Sequence, residues 1–339
     1  MRVAVFDAPG SVRIDDVAPV APGPGELLIA VDFVGLCGSD LGTYRGSSSM
    51  VSYPVVPGHE ISGRVVGRGE AVACTDVPDG SRVTVVPYFN CGDCPACRNG
   101  RSNACQFNQT LGVQRDGALA TQIVVPREHV IHVPDLPAES VALIEPLSVG
   151  FHLSGRAAIR PDESVAVVGC GAVGLGAIAA AKLRGARVVA VDISEAKLEL
   201  AQQFGADATV NSAEVNAVDA LRELTGGDGP DVVLESAGGP RTFLIALEAV
   251  RFTGRMGVVS YSTADVSFNS KLIVAKELTI YGSRNALGEF SEVVELLKSG
   301  TIPVDALVTR TVDLEAVGEA MDQWKNDVGS VNKLLVRVS

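Results

Sequence analysis

The 339-residue sequence predicts an α/β protein of two parts, an irregular, mostly β domain and a doubly wound domain built on a parallel sheet. Three observations predict it. Residues 1 to about 150 are rich in Val, Gly and Pro, with short strand-like runs between turn signals. From about residue 161, strand-like and helix-like segments alternate, the pattern of a parallel sheet with helices on both faces. The final run, Lys333-Leu-Leu-Val-Arg-Val, reads as a strand returning to the first part. The expected domains are therefore 1–150 together with 286–339, and 151–285.

Along the chain, Glu26-Leu-Leu-Ile-Ala-Val-Asp and Gly63-Arg-Val-Val-Gly are the clearest early strands. Pro22-Gly-Pro-Gly, Pro57-Gly and Pro78-Asp-Gly are the turns between such runs. Ser164-Val-Ala-Val-Val is a strand that enters a glycine turn, and an alanine-rich helix follows over about 173–184. Arg187-Val-Val-Ala-Val is the next strand. Helix 194–204 and strands 231–234 and 256–260 continue the alternation, and Glu289 to Lys298 is helical. Glu277-Leu-Thr-Ile-Tyr-Gly is a strand that either pairs with a second copy of the chain or lies inside the sheet.

Composition narrows the function. With 47% hydrophobic residues the chain can bury a sizeable core. A net charge of −12 without any Lys/Arg cluster argues against nucleic acid as a partner. The most apolar stretch, Val165 to Ala181, holds four glycines and is too short and too broken to favour a membrane span. The N-terminus lacks the apolar run and cleavage site of a secretory signal. Cysteine usage points to a reducing cytoplasm. Five of the seven cysteines have better uses than disulfides, and Cys74 and Cys170 read as free thiols.

Four of those cysteines, Cys91, Cys94, Cys97 and Cys105, lie within fifteen residues. Four thiolates so spaced suit a closed, structural zinc site, in preference to a disulfide pair or a redox CxxC. Farther along, Gly169-Cys-Gly171-Ala-Val173-Gly174 fits GxGxxG between a Val-rich strand and a helix. Glycines there let a pyrophosphate approach the amides of a helix N-terminus. Asp192 ends the next strand, 18 residues after Gly174. A carboxylate at that place binds ribose hydroxyls and repels a 2′-phosphate, which favours NAD over NADP. Lys197 either contacts the ribose or is an exposed helix lysine.

Catalytic zinc needs three protein ligands and an exchangeable position. Cys37 offers a thiolate, His59 a nitrogen, and Glu60 and Glu145 carboxylates. Taken singly, each has a plainer reading: Cys37 as a small hydrophobe, His59 as a core histidine, Glu145 as an ion-pair partner. Beside a zinc loop and a nucleotide loop, those readings lose their force.

With these motifs in order (Gly35-Leu-Cys37-Gly-Ser39-Asp, Gly58-His59-Glu60, the four-cysteine loop, Glu145-Pro-Leu-Ser-Val-Gly and the glycine loop), the chain resembles the zinc-dependent medium-chain alcohol/polyol dehydrogenases. The resemblance runs over essentially its whole length. It implies a GroES-like catalytic domain with a Rossmann domain inserted, an active site between them, two zinc ions per chain and NAD. Cys37 and His59 match the family's metal ligands. Glu60 and Glu145 match the sorbitol and threonine dehydrogenase branch, in which the second glutamate binds the zinc water or exchanges as a ligand. Ser39 matches the hydroxyl that passes on the substrate proton. Gly42 stands where many relatives carry a relay histidine, so the proton's exit falls to water, a ribose hydroxyl or Glu145.

For substrate, Arg115, Arg284 and Asn285 are the candidates. Two arginines could grip a carboxylate bidentately. Alternatively, Arg115 pairs with Asp116 or another surface acid, and Arg284 lines a domain interface. The segment from Tyr281 to Phe290 resembles bacterial L-galactonate and L-gulonate 5-dehydrogenases. The lead expectation is oxidation of a secondary hydroxyl on a polyol or hexonic acid. L-threonine 3-dehydrogenase and alditol dehydrogenase are rivals, and a non-catalytic NAD-binding relative is a distant one. The family resemblance also implies a homodimer or homotetramer.

Overall fold

A computed structural model describes residues 1–262 and 264–339. The chain divides into two compact units. One comprises Met1–Glu145, Leu297–Ser299 and Val304–Ser339, the other Pro146–Leu296 and Gly300–Pro303.

The first unit is mostly β. Its main sheet is organised around the long strand Glu26–Leu36, which pairs antiparallel with Glu60–Arg68, with Gln122–Pro126 and with the C-terminal strand Leu334–Arg337. The C-terminal run therefore does return to this unit. The burial of Leu27, Ile29, Val31, Val34 and Leu36 shows why: they alternate first and are then continuously buried as the strand enters the core. Phe6, Tyr44, Ile61, Leu119, Met321 and Trp324 fill the same core.

The second unit carries a six-stranded, wholly parallel sheet. Its spatial order is Ala208–Asn211, Arg187–Asp192, Ser164–Val168, Val232–Glu235, Arg255–Val258, Thr279–Gly282. Numbered by sequence, that is 3-2-1-4-5-6, the order of dinucleotide-binding sheets. The central strands Ser164–Val168, Arg187–Asp192 and Val232–Glu235 are runs of buried Val, Ala and Leu, as expected when both faces are covered, whereas the edge strand Thr279–Gly282 is largely exposed. The alanine-rich helix spans Ala172–Leu183 and the next Glu195–Gln203. The fifth strand stops at Val258, two residues earlier than its pattern suggested, and Thr279–Gly282 forms the edge. Among the described residues, no helix is long and apolar enough to cross a membrane.

One short helix, Gly38–Arg45, has no sequence periodicity to announce it and contains two glycines. It exists because of its ends. The Cys37 backbone N–H donates to Asp40 at 2.9 Å, the Cys37 sulfur accepts from the Ser39 amide, and Gly46 closes the helix with φ of +76°.

Candidate active site

Three adjacent strands of the first unit build the candidate metal-binding corner. Gly35 on the central strand lies opposite Glu60 on one side and Leu335 on the other. Side chains two residues apart share a sheet face, so Cys37 and Lys333 lie on the face of Gly35 and Glu60. Gly35 leaves a gap there: a Cβ on it would sit 1.9 Å from Glu60 Oε2. Through that gap Glu60 reaches across the central strand, and the Lys333 ammonium donates to its two oxygens at 2.5 and 2.7 Å. The pair is fully buried, at 0% and 1% exposure. Burial alone would push the lysine down, but the negative field of Glu60, then Cys37 and Glu145, raises it above its ordinary value and keeps it charged.

His59 enters through Gly58, whose φ of +102° and contact with Val34 exclude a side chain. Its Nε2 lies 3.3 Å from Cys37 Sγ. Asp40 Oδ1 sits 3.9 Å from Nδ1, beyond hydrogen-bond range, and acts on the ring through its charge. Burial works against the imidazolium, yet Cys37, Asp40 and Glu145 outweigh it and hold His59 well above its usual value. That is the signature of an anionic pocket. The ligand atoms of Cys37, His59 and Glu60 all fall within 4.8 Å of one another. A tetrahedral zinc with bonds of about 2.3 Å to sulfur and 2.0–2.1 Å to nitrogen requires a S···N separation of about 3.5 Å, close to the one found. The three residues fit a catalytic zinc.

Glu145 is buried in the first turn of helix Ile144–Arg156 and lies outside that three-residue cluster. Its Oε1 accepts from the phenol of Tyr88. Burial, with Glu60 adding to it, raises the Glu145 carboxyl. The Ser39 hydroxyl is 2.8 Å from Cys37 Sγ. Arg115 has neither Asp116 nor another acid as an ion-pair partner among the described residues. Its guanidinium lies 4.0 Å over the ring of Phe89, and Phe89 stacks at 4.1 Å on His129.

The four cysteines are gathered as their spacing suggests. Cys94 Sγ lies 3.5 Å from Cys97 Sγ and 3.8 Å from Cys105 Sγ, and Cys105 Sγ is 3.6 Å from Cys91 Sγ. The edge of a ZnS4 tetrahedron is about 3.8 Å for zinc–sulfur bonds of about 2.3 Å. Amides of Cys94, Gln106 and Phe107 point at the sulfurs. Such donors face anionic sulfur better than thiol, and the Gln106 amide foremost pulls the Cys94 thiol down to about 6. The loop fits a structural zinc.

In the second unit the three loop glycines do different work. Gly169 has φ of +98° and backs onto Ala237; a Cβ on Gly174 would lie 1.9 Å from the Gly169 carbonyl. Gly171 has open space where its Cβ would be and caps the helix without a side-chain bond, leaving first-turn amides exposed to a ligand. Val173 lies in that first turn. Asp192 is half-buried and accepts amides of Cys170, Ile193 and Ser194 at 2.8, 2.8 and 3.1 Å, which uses three of about four acceptor positions. Lys197 acts electrostatically on Cys170 in the same loop. Arg284 and Asn285 are half-buried just after the edge strand, with Asn285 at φ of +54°.

Sequence reasoning missed Lys333, Tyr88 and Asp40. Asp40 was legible as the third residue of a cap beginning at Cys37. Lys333 was visible only as the polar start of an apolar strand, and nothing marked Tyr88.

Comparison with known proteins places the chain in a family. The family models for an alcohol dehydrogenase GroES-like domain and for a zinc-binding dehydrogenase match residues 23–135 and 172–299. The chain is 36% identical to the L-galactonate-5-dehydrogenase of Escherichia coli K12, over 89% of this chain and 88% of that one. It is 35% identical to the sorbitol dehydrogenase of Bacillus subtilis 168, over 96% and 95%. A solved alcohol dehydrogenase of Escherichia coli CFT073, complexed with NADH, superposes with a TM-score of 0.92 at 28% identity, covering 100% and 99% of the two chains. The chain belongs to the zinc-binding alcohol dehydrogenase family. It is an NAD-type, zinc-dependent alcohol or polyol dehydrogenase.

Proposed function

We propose that this chain oxidises a secondary hydroxyl of a sugar acid, with an L-hexonate such as L-galactonate or L-gulonate as the lead substrate, and that it holds two zinc ions. The observation that carries the reading is the Cys37–His59–Glu60 cluster, with His59 and Glu60 buried and Cys37 half-buried, a sulfur–nitrogen–oxygen set of three donors that would leave one position of a four-coordinate zinc for substrate. Zinc bound there would supply Lewis acidity toward a substrate oxygen, and NAD bound at the glycine loop would supply the hydride-accepting chemistry. Cys37, His59 and Glu60 hold the metal; Cys91, Cys94, Cys97 and Cys105 hold the structural ion. Ser39, beside Cys37, takes the substrate proton, and Glu145 or solvent carries it onward in place of the histidine missing at Gly42. Gly169, Gly171, Val173 and Gly174 receive the pyrophosphate. Asp192 receives the adenosine ribose through its remaining acceptor position, and Lys197 adds a ribose contact.

Arg115 supplies the carboxylate grip, and Arg284 and Asn285 are further candidate substrate residues. Stacking on Phe89 occupies the face of the Arg115 guanidinium and leaves its N–H edge available, the arrangement in which arginine binds a carboxylate in two-pronged fashion. The test compares kcat/KM for a hexonate and its matching alditol in the native enzyme and in Arg115→Gln. A grip predicts loss for the hexonate alone, by roughly tenfold or more, the effect of a charge-assisted bond of about 1.5–3 kcal/mol. Equal losses on both substrates would return Arg115 to a packing role. L-Threonine oxidation is the second reading, favoured by the glutamate-type metal set and disfavoured by Gly42. The cysteine usage supports a reducing, cytoplasmic setting. The edge strand Thr279–Gly282 supports pairing of two copies into a homodimer.

A further inference from the structure

We infer that Tyr88 is a positioning residue that holds Glu145 off the catalytic metal and so keeps the fourth coordination position open. The inference rests on the metal site proposed above. A zinc site with four protein ligands is closed and structural; one with three is open and catalytic. This chain places a fourth acidic ligand beside the cluster. Glu145 is buried and interacts electrostatically with His59, Glu60 and Lys333. A buried carboxylate so close to a divalent ion is drawn toward it unless another partner holds it. The two carboxylates of this pocket have different partners. Glu60 is held by Lys333 and stays within the three-ligand cluster. Glu145 is held by the Tyr88 phenol and stays outside it.

The phenol is itself firmly placed. Tyr88 is 6% exposed and pairs with Thr110 in a short two-stranded ribbon. The next residue, Phe89, projects to the other face and is sandwiched between the Arg115 guanidinium and the His129 ring. His129 Nδ1 is in turn 2.8 Å from the Val86 carbonyl, and Cys91 of the four-cysteine loop follows three residues after Tyr88. The ribbon that carries Tyr88 is therefore anchored on its far face and at its end.

The test uses full-length protein with cobalt(II) in the catalytic site and imidazole as the probe of the open position. In the native protein imidazole is expected to shift the visible cobalt spectrum. In Tyr88→Phe, Glu145 closes the site: imidazole affinity falls roughly tenfold or more, the scale of outer-shell losses at metal sites. Zinc release to a chelator slows as well. In Tyr88→Phe/Glu145→Gln the imidazole response returns. A Tyr88→Phe protein that binds imidazole as the native one does would overturn the inference, whatever its activity. A second measurement does not depend on the folding of that variant. Glu145→Gln, with Tyr88 intact, should release zinc at the native rate, and faster release would show Glu145 to be a ligand already. If Cys37→Ser leaves the native cobalt spectrum unchanged, the metal site itself is misplaced and both readings fall.

Discussion

Gly35, Glu60 and Lys333 show how a buried charge can be kept ready for a metal. Lys333 is the only counter-charge among the described residues that touches the Glu60 carboxylate, and neither group reaches solvent. Removing one partner of such a pair costs about 3–5 kcal/mol because the other is left buried and uncompensated. Lys333→Met should therefore destabilise the zinc-free protein by that amount. With zinc bound, the metal becomes a second counter-charge on Glu60, and the penalty should shrink. Chemical denaturation with and without zinc checks this; equal penalties would show that the metal does not share Glu60. The candidate ligands Cys37, His59 and Glu60 were legible because metal chemistry restricts residue types. The partners that hold them were not, because any strand can begin with a lysine and any turn can carry a tyrosine. Their meaning comes from register, which one sequence does not display.

At the scale of the element, the glycine loop separates packing from ligand binding. Gly174 has no room for a methyl group, whereas Gly171 has room and ordinary dihedrals, with φ of −74°. Gly174→Ala should lower the melting temperature, since the Gly169 carbonyl it meets is backbone and must move. Gly171→Ala should leave melting unchanged and weaken NADH binding, because its methyl projects onto the face that receives the phosphates. Calorimetry paired with NADH titration reads both. A melting loss in Gly171→Ala of the same size would mean that this glycine too serves packing. The strand–turn–helix context made this element the most legible part of the chain. Helix Gly38–Arg45 was the least: its glycines give no periodic pattern, and it depends on capping contacts at both ends.

Across the whole molecule, the alternation of strand and helix carried the architecture of the second unit, while the β-rich first unit was legible only in part because its strands are short and irregularly spaced. Acid should loosen the second unit through Glu163. This carboxylate is buried, which would raise it, but Arg255 and the Arg160 backbone and side chain bond to it and bring it from 4.5 down to about 2. A depressed carboxylate contributes stability that is present above its ordinary value and is lost as pH falls from about 4.5 to about 2. The contribution is on the order of 3 kcal/mol, since each tenfold change in proton affinity is worth about 1.36 kcal/mol. Glu163→Gln should flatten the acid limb of the melting curve between those values; an unchanged limb would assign the acid sensitivity elsewhere. The central claim, a zinc- and NAD-dependent oxidation of a sugar acid, is tested most directly by one assay. Purified, zinc-replete protein is offered NAD with L- and D-hexonates, their matching alditols, threonine and simple alcohols, and bound zinc is counted on the same sample. The account predicts two zinc ions per chain, strong NADH formation with one L-hexonate and weak formation with its alditol. Both zinc sites filled and no NADH from any of these substrates would contradict it.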